Sequence, residues 1–426
     1  MSIYDSLLAD IEIPKFVKVR QDMPDMHIDS VESGVRDALL RPGTLDRIRP
    51  GDSVCIAVGS RDVANIARIT RAVCDSVKSV GAVPFIIPAM GSHGGAIAEG
   101  QRGILAGYGV TEETMGVEIR AAMDTVIIGK TPSGLDVHLD KYADAADYII
   151  PIGRIKPHTD FRGKVESGLC KMMVIGMGKQ QGAYICHKFG FSNMAENVIA
   201  IAEVIIAKKP NMFAVGLIEN SFHQTYKIVT VPSEKVLAEE PGLLIEAKKM
   251  TGRIPFERVD ALFVNQIGKD ISGAGMDTNV VGRSAVLGIS KPFFQSIAVL
   301  DLTDKSHHNF GGLGYADVTT QRLYDKIDFE QTYPNGITCA LAAGMKIPAV
   351  MPNDRLAFKF CLRMTTDIDL EKGLRVVWIK DTLSLWEFYI SESLIEDAKK
   401  TTSLTILSEP RSAVFDRDGN IADHFF

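Results

Sequence analysis

Cysteine is scarce and unpatterned, with six residues at 55, 74, 170, 186, 339 and 361 and no Cys-x-x-Cys pair. That excludes a zinc-ribbon or dithiol motif, and a chain of 426 residues has core enough to fold without disulfide staples. Reduced thiols and a cytoplasmic setting are the expectation. Excess positive charge is missing as well. The formal net charge is −6, so no nucleic-acid or anionic-membrane surface is expected. Long apolar runs are absent. The longest, 198–207, is interrupted by Glu203 and falls far short of the roughly 20 residues that span a bilayer. The first residues, MSIYDSLLADIEIPK, lack the basic region and apolar core of a secretory signal. There is no internal repeat and no low-complexity segment.

What remains is an ordinary globular composition, 46% apolar and 23% charged, with an alternating pattern. The run 53–58 (SVCIAV) reads as a buried strand. A helix follows over 63–80, with Ile66, Ile69, Val73 and Val77 on one stripe, and then a second strand at 83–87. Strand, helix and strand on short links predict a βαβ unit and a parallel sheet. Further strands are predicted at 148–152 and 212–218, and helices at 198–207 and 234–250. The segment 254–258 (IPFER) reads as a hinge, after which VDALFV at 259–264 opens a fresh α/β pattern. The fold class expected is α/β, as two lobes, 1–254 and 255–426, with a site in the cleft between them. Trp378 and Trp386 are expected to pack the second core.

Three loops after strands could carry chemistry. Gly59-Ser60-Arg61-Asp62 opens a helix, where backbone N–H groups and Arg61 favour a phosphate or carboxylate. The plain alternative is a strand–helix turn capped by Ser60 or Asp62. Gly91-Ser92-His93-Gly94-Gly95 flanks a histidine with glycines. Imidazole there can be base, acid, metal ligand, or merely solvated. The run 152–179 holds Arg154, His158, Arg162, Lys164, Lys171 and many glycines. It reads as a loop wrapping an anionic ligand, against the alternative of a solvated basic loop. Gly176-x-Gly178-x-x-x-Gly182 is one residue too long for the dinucleotide fingerprint. Elsewhere, His307-His308 on a strand would point opposite ways and so not share an ion. His138 reads as a satisfied strand residue, Cys170 as small and buried. His223 and His424 carry no context.

Taken in order, these loops resemble the nickel-dependent lactate racemase family. The elements that carry the resemblance are Gly59-Ser60-Arg61, the glycine-flanked His93, Pro157-His158, Lys171 and His187. The family's cofactor is a nickel-pincer pyridinium mononucleotide, which holds nickel through S, C and S atoms. The resemblance implies a covalent link at Lys171, a nickel ligand at His187, and Ser60 and Arg61 on the nucleotide phosphate or the substrate carboxylate. It implies a base pair of His93 and His158 on opposite faces of the substrate. In the second lobe Gly273–Asn279 looks like the substrate loop, with Thr278 at a glutamine-like position and Arg283 as its basic residue. The implied activity is inversion of the carbinol carbon of a 2-hydroxy acid, not necessarily lactate. Its C–H is too weakly acidic for imidazole. Hydride must therefore leave to an electrophilic ring while one histidine takes the hydroxyl proton, with the roles exchanged on return. Cofactor-biosynthesis proteins are implied as partners. Two other classes stay open: a nicotinamide-dependent oxidoreductase using the Gly176 loop, and a non-catalytic binder of the modified cofactor.

Overall fold

The computed structural model describes residues 2–60, 63–188, 190, 193–286, 289–339, 341–366, 368, 369 and 371–422. The chain divides into two compact units, residues 24–251 and residues 1–23 with 252–426. The strands in chain order are β1 (Phe16–Gln21), β2 (Ser53–Val58), β3 (Val83–Pro88), β4 (Thr125–Lys130), β5 (Asp136–Asp140), β6 (Tyr148–Arg154), β7 (Phe213–Glu219) and β8 (Thr225–Pro232). They continue as β9 (Arg258–Ile267), β10 (Phe293–Leu302), β11 (Val318–Thr320), β12 (Ala349–Met351), β13 (Val376–Ile379), β14 (Glu387–Ser391) and β15 (Leu404–Ile406).

The unit 24–251 is built on a five-stranded sheet in the order β3-β2-β6-β7-β8. β2 pairs parallel with both β3 and β6, and β6 with β7; only β8 runs antiparallel. Parallel strands covered on both faces read as continuous apolar runs. Val54 through Val58 are accordingly all buried. The helix Ile66–Ser79 follows β2 and buries Ile66, Ile69, Val73 and Val77, the stripe predicted. It begins three residues later than expected, after Asn65 in the left-handed region. The helices Met194–Lys208 and Val236–Met250 complete the layers. β4 and β5 form a separate antiparallel hairpin.

The other unit holds an eight-stranded mixed sheet in the order β12-β11-β10-β9-β13-β14-β1-β15. The chain is thus α/β throughout. The expected boundary put residues 1–23 with the first lobe. Instead β1 is an interior strand of the second sheet, antiparallel to β14 and β15, with Phe16 opposite Ser391. Phe16 packs on Trp378 with ring centroids 5.3 Å apart, and Phe263 stacks on Phe358 at 3.7 Å. Trp378 is fully buried and donates its indole N–H to Asn265 Oδ1 at 2.6 Å. Trp386 does not share that core role, since 40% of it stays exposed. His307 and His308 lie on a left-handed turn, not on the strand expected, and His308 Nδ1 faces the Lys326 carbonyl at 2.9 Å. Among the described residues no helix is long and apolar enough to cross a membrane.

Candidate active site

In an open parallel sheet, ligands meet the carboxyl ends of the strands. β3, β2 and β6 are neighbours and run the same way, so the loops that follow them leave from one edge. Those loops carry His93, Ser60 and His158 respectively. A helical run, Leu169–Lys171, Met172–Gly176 and Lys179–His187, packs across that edge. Its middle is a π turn closed by the Met177 N–H on the Met172 carbonyl at 2.9 Å. Such turns collect at functional sites because the wider coil displaces side chains from the helical repeat. The approach is close. A Cβ on Gly153 would sit 2.7 Å from Met172 Cγ, and one on Gly176 would sit 2.9 Å from the Ala89 carbonyl oxygen. The expected loop over 152–179 is therefore loop only as far as Gly168. Its glycines serve helix-to-strand packing as much as ligand access.

His158 is held by several contacts. It is buried, and its backbone N–H donates to Glu166 Oε2 at 2.7 Å. Its ring Nδ1 accepts the Asp160 N–H at 2.9 Å. With Nδ1 accepting, a neutral ring carries its proton on Nε2, which lies 2.6 Å from Lys171 Nζ. Arg162 donates to the His158 carbonyl at 2.5 Å, and Phe161 lies against the ring at 4.3 Å between centroids. Glu166 is fully buried and also meets Lys248 at 2.7 Å.

His187 ends the helix that begins at Lys179. Its Nδ1 faces the Ala183 carbonyl at 2.6 Å. A carbonyl only accepts, so the proton sits on Nδ1 and Nε2 carries a lone pair. Burial pushes the His187 pKa below its ordinary value. The Ala183 carbonyl opposes the shift, the Lys171 charge adds to it, and Asp160 opposes it. Lys171 and Asp160 thus lie close enough to act on this ring. A neutral imidazole oriented by a backbone carbonyl is the usual form of a metal-ligating histidine. Among the described residues no group of three or more His, Cys, Asp or Glu gathers to hold an ion.

His93 takes its place through a contact that sequence reasoning missed. The Ser60 hydroxyl lies 2.5 Å from His93 Nδ1, and the Ser60 carbonyl accepts from Tyr108 at 2.7 Å. Ser60, expected on an anion, orients the histidine. Arg61 lies outside the described residues, as does His424. Two other loop cations, Arg154 and Arg162, are matched internally. Arg154 pairs with Glu219 at 2.6 Å, and Glu219 also accepts from the Ala64 N–H at 2.8 Å. Glu219 was not singled out from the sequence, because it ends an apolar strand far along the chain from Arg154.

The two second-lobe residues belong to the other unit. Thr278 is fully buried at the start of the turn Thr278–Val281. Arg283 has its guanidinium committed to Asp317 at 2.6 Å and to the carbonyls of Tyr315, Phe294 and Gln295. A substrate carboxylate would have to displace Asp317. His138 is satisfied by Thr125 at 2.9 Å, and burial pushes the Cys170 thiol well up, so it stays a thiol. Gly176, Gly178 and Gly182 lie within the helical run, not in a strand-to-helix turn. The near-miss dinucleotide motif therefore has no cradle to offer a pyrophosphate.

Comparison with known proteins agrees with the ordered loops. No curated protein matches the sequence significantly. Among solved structures, the lactate racemase apoprotein from Thermoanaerobacterium thermosaccharolyticum is similar at 17% identity and a TM-score of 0.44, over 67% of this chain and 74% of that one. The profile of the lactate racemase N-terminal domain matches residues 4–197, a span that includes Ser60, His93, His158, Lys171 and His187 but neither Thr278 nor Arg283.

Proposed function

We propose that this protein is a racemase or epimerase of 2-hydroxy acids that works with a nickel-pincer pyridinium mononucleotide linked to Lys171. The observation that carries the proposal is the contact of Lys171 with His158, with a neutral His187 close by, at the edge where the His93 loop also leaves the sheet. Lys171 presents a nucleophilic nitrogen for the covalent link, and His187 presents an Nε2 lone pair for nickel. In this reading Ser60 and Arg61 would hold the nucleotide phosphate or the substrate carboxylate. When bound, the nucleotide supplies an electrophilic ring and a metal at the substrate carbon. The chain's own work is proton traffic. His93, steadied by Ser60, takes or returns the hydroxyl proton on one face, and His158, its loop held by Glu166, does so on the other once Nδ1 releases the Asp160 N–H and the ring proton can move there from Nε2. Arg283 could take a substrate carboxylate only by exchanging Asp317 for it. Maturation needs the proteins that make the nucleotide, and reduced cysteines fit a cytoplasmic setting; Cys55, Cys74, Cys170, Cys186 and Cys361 are all free and buried.

The test is coexpression with the nucleotide's biosynthetic proteins, followed by intact mass, metal analysis and chiral separation of 2-hydroxy acids. The wild type should gain a nucleotide-sized mass that Lys171→Ala loses, and His187→Ala should keep the mass but lose nickel. A normal mass gain on Lys171→Ala, or no interconversion of any 2-hydroxy acid by loaded wild type, overturns the proposal.

A further inference from the structure

Lys179 is a charged side chain near the site with no exposed surface. It stands eight residues after Lys171 and opens the helix that ends at His187, at a φ of 55°, a conformation rarely tolerated outside glycine. Its ammonium reaches three acceptors: the Pro88 carbonyl at the end of β3, Gln101 Oε1 at 3.3 Å and Asp140 Oδ2 at 3.1 Å. The Asp140 contact is an ion pair rather than a hydrogen bond, since Asp140 Oδ2 has no hydrogen-bond partner among the described residues. Gln101 is also fully buried, and its amide donates to the Gly91 carbonyl at 2.9 Å and the His93 carbonyl at 3.1 Å. Asp140, fully buried too, turns its other oxygen to the Tyr142 N–H at 2.8 Å and the Ala143 N–H at 3.2 Å.

An apolar side chain could fill this space without the cost of desolvating a charge. Burial does pull the Lys179 pKa down, with Asp140 opposing. What the apolar side chain could not do is fix a direction. The ammonium and the Gln101 amide hold both sides of the turn that presents His93. They tie it to the helical run that carries Lys171 and His187.

We propose that Lys179 and Gln101 are positioning residues, which hold the His93 turn in register with the helix bearing Lys171 and His187. The assignment of His93 as a base rests on the proposed function; the clamp itself does not. Three variants test it. Gln101→Leu removes both donors to the turn. Gln101→Glu keeps an acceptor for Lys179 but has no N–H for the carbonyls. Lys179→Met removes the ammonium, and if it fails to fold, the Gln101 variants still decide the matter.

The first readout is amide and histidine C2 hydrogen exchange of the apo protein by mass spectrometry. In both Gln101 variants amides at 89–97 should exchange about tenfold faster or more, since each lost hydrogen bond contributes about that factor. The His93 C2 exchange profile should shift with pH, while His158 and His187 keep theirs. The second readout is the loaded enzyme, where kcat should fall about 10²-fold from misplacing the base, with KM and covalent loading unchanged. Unchanged exchange at 89–97 overturns the clamp, and so does loosening spread evenly over residues 24–251. A loosened turn in a protein whose loaded wild type is inactive upholds the clamp and refutes the racemase reading instead.

Discussion

Replacing Glu166 by glutamine should loosen the His158 loop without unfolding the protein. Three donors converge on this fully buried carboxylate: the His158 N–H at 2.7 Å, Arg162 at 3.4 Å and Lys248 at 2.7 Å. Glutamine has one acceptor oxygen. Turned toward His158 and Arg162, it sets its NH2 against the Lys248 ammonium, donor to donor. Breaking a buried ion pair can cost about 3–5 kcal/mol. Here Lys248 keeps 32% of its side chain exposed and can turn to water. The smaller figure for a lost charge-assisted hydrogen bond applies, about 1.5–3 kcal/mol. At about 1.4 kcal/mol per tenfold, that is a rise of about 10- to 150-fold in the opening equilibrium of the loop. The assay is native-state amide exchange of peptides spanning 155–168, with the helix Ile66–Ser79 as internal reference. Lys248→Met placed on Glu166→Gln should recover part of the protection, because it removes the opposed donor. Protection at 155–168 within threefold of wild type, or two variants whose effects simply add, would refute the reasoning.

Two further outcomes follow from the site. His93→Ala and His158→Ala should each lose racemisation by about 10²–10⁴-fold, the usual loss on removing a general base. Each should still react with one enantiomer in single-turnover mixing, with opposite preferences; a shared preference would reduce one histidine to a binding role. Glu240 is buried with Oε2 on the Cys170 N–H at 2.9 Å and Oε1 without a partner, and burial raises its pKa above the ordinary value of 4.5. A raised folded pKa means that its contribution is fully present below about pH 4.5 and is lost as pH rises through the raised value. Glu240→Gln, which cannot ionise, should therefore gain stability relative to wild type across that window. Urea titrations from pH 4 to 8 showing a constant difference would refute this.

The local elements were legible because they depend on consecutive residues. The apolar runs of β2, β3 and β6 announce strands buried on both faces, and the stripe of Ile66, Ile69, Val73 and Val77 announces the helix after β2. The glycine-flanked His93 and the Pro157-His158 step were visible for the same reason, and with Lys171 and His187 they pointed to the family whose domain profile matches. The glycines of 152–179 misled toward a loop. Composition cannot say whether a missing Cβ frees the backbone or admits a neighbour, as Gly153 admits Met172.

Everything that joins distant residues was decided by tertiary structure. β1 finds its partners in β14 and β15 only once the second sheet has formed, so the first residues carry no sign of the unit they join. Ser60 meets His93 because β2 and β3 are adjacent and parallel, and His158 meets Lys171 because a helix crosses the end of β6. Arg283, basic and apt for a carboxylate in sequence, is held by Asp317. Lys179 passed as one more loop cation, yet it is buried among Asp140, Gln101 and Pro88. A charge can leave water only where its partners converge. That convergence belongs to strand order and helix packing, and no stretch of consecutive residues contains it.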